Sequence, residues 1–228
     1  EPIEIEGTEP YLVGGHAQAG YWIDKRRETS LPGLYAAGDV AGGAPYKFVS
    51  GCWAEGVIAA ESAVDDIKKN KVKNNWKADI ASLDIYQELE RVYNPLLVND
   101  GIRPHEMEER LQKIMDNYAG GVSRYYEMNE RELKLALKKV KALRSQKIYL
   151  LADDYHDLMN CHEVIDRIDI AVTLINHLLY RKETRWPAYQ TRTDYPDIDD
   201  EKWLKFINSV VEDKDVRIIE RPYSRIVS

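Results

Sequence analysis

The stretch GLYAAGDVAGGAPYKFVSGCWAEG, residues 33–56, joins an apolar run to a glycine-rich turn and then to a predicted helix start. Gly38 directly after the apolar run lets the backbone turn sharply or approach a ligand closely. Asp39 at the end of that run can accept hydrogen bonds from ligand hydroxyls, and the amides of a helix starting near Ser50 suit a partly negative oxygen. The stretch therefore predicts a ligand-binding turn. An ordinary glycine-rich turn of an α/β protein is the alternative, and the glycine-aspartate pair alone does not decide between them.

The composition narrows the classes of partner. The 228 residues carry a formal net charge of -7 and form no basic stripe, so nucleic acid and anionic membranes are poor partners on electrostatic grounds. The two cysteines, Cys52 and Cys161, provide no disulfide framework, which fits a reducing cytoplasm. No apolar run approaches the ~18 residues of a membrane span. Because the chain begins with Glu1 and not with methionine, we expect it to be part of a longer polypeptide.

The first predicted segment, residues 1–80, is rich in glycine, aromatic residues and short apolar runs. Short strands and one helix are expected there, at 11–13, 21–23, 34–37 and 53–68. The apolar residues of this helix form a rough face that consists of Trp53, Val57, Ile58, Ala60 and Val64.

The second predicted segment, residues 81–182, has the periodicity of helices. A first amphipathic helix contains Leu89, Pro104 suits the first turn of a second, and Asn129 suits the N-cap of a third. Residues 154–181 predict a fourth helix that is apolar on much of its surface. A helix buried on more than one side implies a bundle.

The third predicted segment, residues 183–228, is irregular and aromatic. Residues 203–208 and 216–220, joined by a polar turn, predict a terminal hairpin. The three segments together predict an α+β fold.

The glycine turn and the helix start resemble a flavin-binding motif. GLYAAGDVAGG, residues 33–43, is similar to the second flavin-contacting motif of flavoproteins with a two-dinucleotide fold. The continuation KFVSGCWAEG, residues 47–56, resembles the fumarate reductase/succinate dehydrogenase flavoprotein family, whose pattern there is close to RLGSNSLAE. The resemblance implies FAD as the cofactor, with Gly38 and Asp39 at the ribityl chain and the backbone of Ser50, Gly51, Cys52 and Trp53 at the pyrimidine edge of the flavin ring.

Departures from the dicarboxylate enzymes point to another substrate. Lys47 stands where those enzymes have an arginine, and Pro10 where they have a histidine, so fumarate or succinate is not expected. A histidine instead follows the glycine pair, in Gly14-Gly15-His16. With PYKF at 45–48, this pattern resembles the alpha (flavoprotein) subunits of dissimilatory adenylylsulfate reductases. The similarity extends to residues 121–126, 183–186 and 189–196.

That second resemblance implies a reaction and a partner. Members of the family reduce adenosine 5′-phosphosulfate to sulfite and AMP, or run the reverse, at N5 of the flavin. The match implies His16 as the catalytic residue, and Lys47 and Phe48 as substrate-binding residues. Electrons would come from a small iron–sulfur subunit with two 4Fe–4S clusters. The implied fold is the C-terminal part of a two-dinucleotide-fold FAD domain, followed by a helical bundle and a short terminal hairpin.

Simpler interpretations compete at individual residues. Outside this family, a histidine after a glycine pair is more often a turn residue bonded to the backbone. Lys47 could equally be a solvated loop lysine, and Phe48 a core aromatic. His156 and His162 flank Cys161 without four-residue ligand spacing, so we expect no metal site there.

The sequence contains no Gly-x-Gly-x-x-Gly, the phosphate-binding turn of dinucleotide folds. In the resembled family this turn lies near the N-terminus of a longer chain, so we expect these residues to be its C-terminal part and to bind FAD poorly alone. Two alternatives stay open. One is a related flavoprotein with another substrate, and the other is a non-catalytic helical interaction module that retains a remnant of a flavin domain.

Overall fold

The computed structural model describes residues 20–42, 49–69, 71, 84–185, 187, 189–212 and 215–222. The chain separates into two compact units, Glu1–Leu83 and Asp84–Ser228. The predicted strand at 11–13 and the predicted boundary after residue 80 lie outside the described residues, so the three-segment division stays a prediction. Over the ranges that are described, no helix is both long enough and apolar enough to cross a membrane.

The extended segments of the first unit are shorter than predicted. The strands expected at 21–23 and 34–37 are wrong, because each forms one isolated bridge, Tyr21 with Ala41 and Tyr35 with Glu28. Backbone bonds from Thr29 to Leu34 and from Leu34 to Leu31 close a turn immediately before the second segment. Gly38, at φ 72°, ends that segment on its other side. The extended run between these two turns is too short to form a ladder.

Helix α1 (Val49–Lys68) begins one residue before the predicted start near Ser50 and ends where the predicted segment 53–68 ends. Its apolar side chains do not form the buried face, because Trp53 is 73% exposed and Val64 48% exposed. The buried residues of α1 are two acids, Glu55 and Asp66. The first unit therefore holds this helix through polar contacts.

The second unit is built on the four helices that the sequence predicted. They are α2 (Ile85–Tyr93), α3 (Pro104–Tyr118), α4 (Glu130–Ser145) and α5 (Tyr155–Tyr180). Short 3-10 turns accompany them at Asn94–Leu97, Val122–Arg124 and Gln146–Tyr149. A one-turn helix, α6, follows at Asp200–Trp203.

Local sequence signals explain where these helices begin. Pro104 is the first residue of α3, where its missing N–H costs no intrahelical bond. The side chain of Asn129 accepts the N–H of Glu132 at 3.0 Å, and the side chain of Asp154 accepts the N–H of Asp157 at 2.9 Å. These caps satisfy amides that the first helical turn leaves unpaired. The predicted roles of Pro104 and Asn129 are confirmed.

The core of the second unit lies where α3, α4 and α5 pack together. Its buried apolar side chains include Met107, Leu111, Leu133, Val140, Ile168, Val172 and Ile175. Because α5 is apolar on more than one side, it packs against both α3 and α4. The predicted bundle is therefore confirmed.

Two sheets complete the second unit. Strands β1 (Glu127–Met128) and β2 (Thr191–Arg192) pair in parallel. Strands β3 (Lys205–Glu212) and β4 (Asp215–Pro222) pair antiparallel, which confirms the predicted terminal hairpin. The first strand begins two residues later than predicted, because Trp203 ends α6. Both strands extend farther into the predicted turn, and β4 also extends past its predicted end. The fold is α+β, as predicted.

An ion pair with a buried arginine joins the tail to the ends of two helices. Arg192 is 2% exposed, and its guanidinium donates to the carbonyls of Leu178 and Arg181 at the C-terminal end of α5, at 2.5 and 2.9 Å. It also binds both carboxylate oxygens of Asp194, at 2.8 and 2.9 Å. Asp194 accepts the N–H of Glu130 in the first turn of α4 at 2.8 Å. Each charge therefore opposes the partial charge of the helix end that it contacts.

The start of the tail is held by hydrogen bonds to a buried acid. The side chain of Glu183 is fully buried and accepts hydrogen bonds from Arg181 and from Arg185, the latter at 2.8 Å. The backbone N–H of Asp199 donates to the same carboxylate at 3.1 Å. The hydroxyl of Thr184 donates to the carbonyl of Tyr195 at 2.8 Å. The polar side chains at the start of the tail thus find their hydrogen-bond partners within the second unit.

Candidate functional site

The glycine turn at Gly38–Val40 has a backbone that only glycine adopts without strain. Gly38 has φ 72°, and it is buried. A Cβ at this position would lie 3.2 Å from the Sγ of Cys52 in α1. The turn therefore needs glycine both for its left-handed backbone and for its close contact with the helix. Asp39 follows on the exposed side of the turn.

The segment after the turn is fixed by a second close backbone approach. The N–H of Tyr21 donates to the carbonyl of Val40 at 2.8 Å, and the N–H of Gly42 donates to the carbonyl of Tyr21 at 2.7 Å. Gly20, at φ 140°, lies so near that a Cβ there would be 2.6 Å from the nitrogen of Gly42. These hydrogen bonds fix the backbone that follows Asp39 in the sequence.

The start of α1 lies against this turn and presents an electropositive helix end. Ser50 and Trp53 are exposed, while Gly51 and Cys52 are partly buried. The first turn of α1 contains no acidic residue. The partial positive charge of the helix end is therefore not neutralised by a carboxylate within that turn. Such an end favours a ligand oxygen with partial negative charge.

Two arginines that are adjacent in sequence hold the buried face of α1. The guanidinium of Arg27 binds both carboxylate oxygens of Glu55, one of them at 2.9 Å. The guanidinium of Arg26 binds Asp66 at 2.9 Å. The two acids lie near opposite ends of the helix, and each is buried beneath its arginine.

Asp66 has further partners that stabilise its charge. The hydroxyl of Tyr35 donates to its carboxylate at 2.5 Å, and the ammonium of Lys71 lies 3.1 Å from it. The hydrogen bond from Tyr35, followed by that from Arg26, holds the pKa of Asp66 well below its usual range. The same contact with a carboxylate, together with burial, raises the pKa of Tyr35 to about 12.

The described residues bring six of the nine predicted site residues into one unit. Gly38 and Cys52 are in direct contact, and Asp39 lies beside them on the exposed side of the turn. The roles predicted for these residues and for Ser50, Gly51 and Trp53 stay predictions. His16, Lys47 and Phe48 lie outside the described residues.

The sequence analysis missed Arg27 and Glu55. A signal was present, because Glu55 and Asp66 are 11 residues apart, about three helical turns, and so share one face of α1. The sequence also contains the pair Arg26-Arg27, which supplies one cation for each acid. A helix whose acids share one face can bury that face against basic residues.

His162 and Cys161 of α5 have structural contacts. A ring nitrogen of His162 lies 2.9 Å from the carbonyl oxygen of Val92, which joins α5 to α2. Cys161 is fully buried, and burial raises the pKa of its thiol to about 11. Among the residues described, no three His, Cys, Asp or Glu side chains are grouped so that they could hold a metal ion.

The geometry of the first unit fits one part of a flavin nucleotide. The exposed Asp39 suits the hydroxyls of a polyol, and the start of α1 suits a carbonyl oxygen at the edge of a ring. The left-handed Gly38 is held against α1, so the carboxylate and the helix end have a fixed relation. The sequence contains no glycine-rich turn of the kind that binds the phosphates of a dinucleotide.

Comparisons with known proteins find relatives along nearly the whole chain. The alpha subunit of adenylylsulfate reductase from Megalodesulfovibrio gigas is 28% identical to this chain and matches 98% of it. A solved structure of adenylylsulfate reductase from Archaeoglobus fulgidus is 35% identical over 89% of this chain, with a TM-score of 0.80. A structure of adenosine-5-phosphosulfate reductase in complex with sulfite, as a covalent adduct, matches with the same values.

These relatives are much longer than the chain. It spans 39% of the Megalodesulfovibrio gigas protein and 33% of each of the two solved chains. The family model for the fumarate reductase flavoprotein C-terminal domain matches residues 108–225, more than half of the chain. That match runs from α3 to the terminal hairpin. The chain therefore belongs to the fumarate reductase flavoprotein C-terminal family.

Proposed function

We propose that this chain is the C-terminal part of the alpha subunit of an FAD-dependent adenylylsulfate reductase. Such an enzyme reduces adenosine 5′-phosphosulfate with two electrons to sulfite and AMP, or catalyses the reverse. The observation that carries the proposal is the similarity to adenylylsulfate reductases along nearly the whole chain, at 28% and 35% identity. A match confined to the helical bundle would support only the superfamily.

The first unit supports the proposal because its glycine turn and the start of α1 lie together, as two parts of a flavin site would. FAD, when bound, supplies the two-electron chemistry of this reaction. Asp39 would accept hydrogen bonds from the ribityl hydroxyls, and the amides at the start of α1 would face a carbonyl oxygen of the flavin ring. Gly38 must keep its left-handed backbone conformation for both contacts to form together.

The substrate side of the proposal rests on the resemblance in sequence. His16 would stabilise the negative charge of sulfite as a hydrogen-bond donor or as a cation. Lys47 would add positive charge near the phosphosulfate, and Phe48 would contact the adenosine.

A partner subunit belongs to the same proposal. The relative from Megalodesulfovibrio gigas is named as subunit alpha, which supports a complex with at least one further subunit. We propose a small iron–sulfur subunit with two 4Fe–4S clusters as the electron donor, and the cytoplasm as the location.

A related flavoprotein with another substrate is the second candidate. The family match favours it, because the family is named for fumarate reductase. Lys47 and Pro10 argue against a dicarboxylate, since the arginine and the histidine that would bind its carboxylates are replaced.

The experiment that separates the two candidates uses the holoprotein with bound flavin. Under the first proposal, sulfite bleaches the flavin absorbance, and oxidation of sulfite by an artificial electron acceptor requires AMP. Fumarate, added to the reduced protein, should leave the flavin reduced. Rapid reoxidation by fumarate, without any response to sulfite, would show that the second candidate is correct. A preparation of these 228 residues alone that holds stoichiometric flavin would refute the expectation that they bind FAD poorly by themselves.

A further inference from the structure

The ion pair between Arg27 and Glu55 lies one helical turn from the contact between α1 and the glycine turn. Glu55 follows Cys52 by three residues, and the Sγ of Cys52 lies where a Cβ of Gly38 would make contact. The side chain of Glu55 is 9% exposed, and that of Arg27 is 19% exposed. The guanidinium binds both carboxylate oxygens, with 2.9 Å between Nη2 and Oε1. A two-point contact of this kind fixes orientation as well as distance.

The backbone of Arg27 is bonded to the segment that leads into the glycine turn. Its carbonyl accepts the N–H of Ala36 at 3.0 Å, two residues before Gly38. Its own N–H donates to the carbonyl of Asp24 at 3.1 Å. Arg27 has φ 68°, a left-handed conformation that a residue with a side chain adopts only when its surroundings enforce it. Arg27 therefore connects α1 through its side chain and the glycine turn through its backbone.

We propose that Arg27 and Glu55 are positioning residues that fix the start of α1 against the Gly38–Asp39 turn. The consequence for the cofactor rests on the proposed function, because those two elements form the proposed flavin site. The ion pair between Arg27 and Glu55, called the clamp from here on, rests only on the contacts within the first unit. Without it, the carboxylate of Asp39 and the amides of the helix start would lose their fixed relation.

The chain provides a matched control in the neighbouring residue. Arg26 binds Asp66, three turns farther along the same face of α1. Both pairs join the same turn of the chain to the same helix, and both acids are buried. Removing Asp66 should loosen the distal end of α1, while removing Glu55 should loosen the end that contacts Gly38. A general loss of stability would follow from both changes, whereas a loss of positioning should follow from Glu55→Gln alone.

Thiol labelling reports on the start of α1 without any cofactor. Cys52 is partly buried at its contact with Gly38, whereas Cys161 is fully buried in the second unit and serves as an internal reference. We expect Glu55→Gln to increase the rate at which iodoacetamide labels Cys52 by about tenfold, because local opening exposes the thiol. Arg27→Gly should have the same effect, since glycine accepts the left-handed backbone and removes the guanidinium together with the rest of the side chain. Asp66→Asn should leave the rate at Cys52 unchanged.

The flavin readout tests the functional half of the proposal on the holoprotein. Glu55→Gln should raise the dissociation constant for FAD and weaken the sulfite-induced bleaching, each by about tenfold, while Asp66→Asn changes neither by more than about twofold. Glu55→Asp, which keeps the charge, should recover part of both losses.

The outcomes separate the clamp from the proposed function. If Cys52 responds equally to Glu55→Gln and Asp66→Asn, or to neither, the clamp is refuted whatever the flavin does. If Cys52 responds as expected and the flavin properties of Glu55→Gln match those of the wild type, the positioning role is refuted. If the wild-type protein binds no flavin or does not respond to sulfite, the proposed function fails, and the labelling rates still decide whether the clamp exists.

Discussion

The helical bundle of the second unit buries Leu133, Val140 and Ile175, whereas α1 of the first unit buries Glu55 and Asp66 and leaves Trp53 exposed. The bundle is held by many apolar contacts that have no directional preference. Helix α1 is held by two ion pairs with defined geometry. A few directional contacts can set the position of one helix relative to one turn, which is what a binding site needs. The comparison indicates that apolar packing stabilises the second unit, whereas ion pairs set the position of α1 in the first unit.

The largest effect is expected at Arg192, a buried charge that joins the bundle to the tail. Arg192→Met removes the guanidinium that joins the end of α5 to Asp194 and leaves that carboxylate without its partner. The carbonyls of Leu178 and Arg181 each lose a buried donor, at about 1–3 kcal/mol per group, and the partly exposed Asp194 loses its ion pair. We therefore expect the free energy of unfolding of the second unit to fall by about 3–5 kcal/mol. Urea denaturation followed by circular dichroism measures it.

Arg217→Met serves as the control for this change. Arg217 pairs with Glu212 on the exposed hairpin, where ion pairs contribute little, so the denaturation midpoint should stay at that of the wild type. Equal shifts for the two variants would mean that buried and exposed ion pairs of the second unit do not differ.

A pair of apolar truncations tests the comparison directly. Leu133 is completely buried in the bundle, so Leu133→Ala should lower the free energy of unfolding by about 2–5 kcal/mol. Val64 lies on α1 and is 48% exposed. Val64→Ala should therefore change the free energy of unfolding of the first unit by less than about 0.5 kcal/mol. The same denaturation experiment measures both. A large loss for Val64→Ala would show that the apolar side of α1 is packed after all.

The smallest effect is expected in the alkaline titration of the first unit. The pKa of Tyr35 is raised to about 12 by its hydrogen bond to Asp66 and by burial. A raised folded-state pKa gives stability that is complete below the unfolded value of about 10 and is lost as the pH rises through the folded value. The depressed pKa of Asp66 acts at the other end of the scale, and its contribution is lost as the pH falls below about 4.

Ultraviolet absorption during an alkaline titration measures the ionisation of tyrosine. The difference between the wild type and Tyr35→Phe should show one tyrosine that ionises about two pH units above the ordinary value. Asp66→Asn removes the carboxylate and should return that tyrosine towards its ordinary pKa. If the difference curve of the wild type already shows an ordinary tyrosine, the contact between Tyr35 and Asp66 does not form.

The helices of the second unit were predictable because their signals are local. Pro104 and Asn129 mark helix starts, and apolar residues at three- and four-residue steps mark the buried faces. The hairpin was predictable from two apolar runs on either side of a charged turn. In each case the residues that identify an element are also the residues that stabilise it.

The first unit was less predictable because its contacts join residues that are distant in sequence. The apolar residues of α1 predicted a face that contains Trp53 and Val64, and both are exposed in the structure. Arg27 and Glu55 are 28 residues apart, and no periodicity links them. The site residues Gly38 and Cys52 were found through motif resemblance, and Glu55 lies in the same motif, but nothing in that motif identifies Arg27 as its partner.

The spacing of the two buried acids on α1 has a consequence for insertions and deletions. Glu55 and Asp66 face the same side only because about three whole turns separate them. Deleting one residue between them would rotate one acid by about 100° relative to the other and detach it from its arginine. Substitutions in this part of α1 can be accepted one at a time, whereas a change in its length would disconnect one end of the helix. The segment should therefore vary in composition among related sequences and keep a constant length.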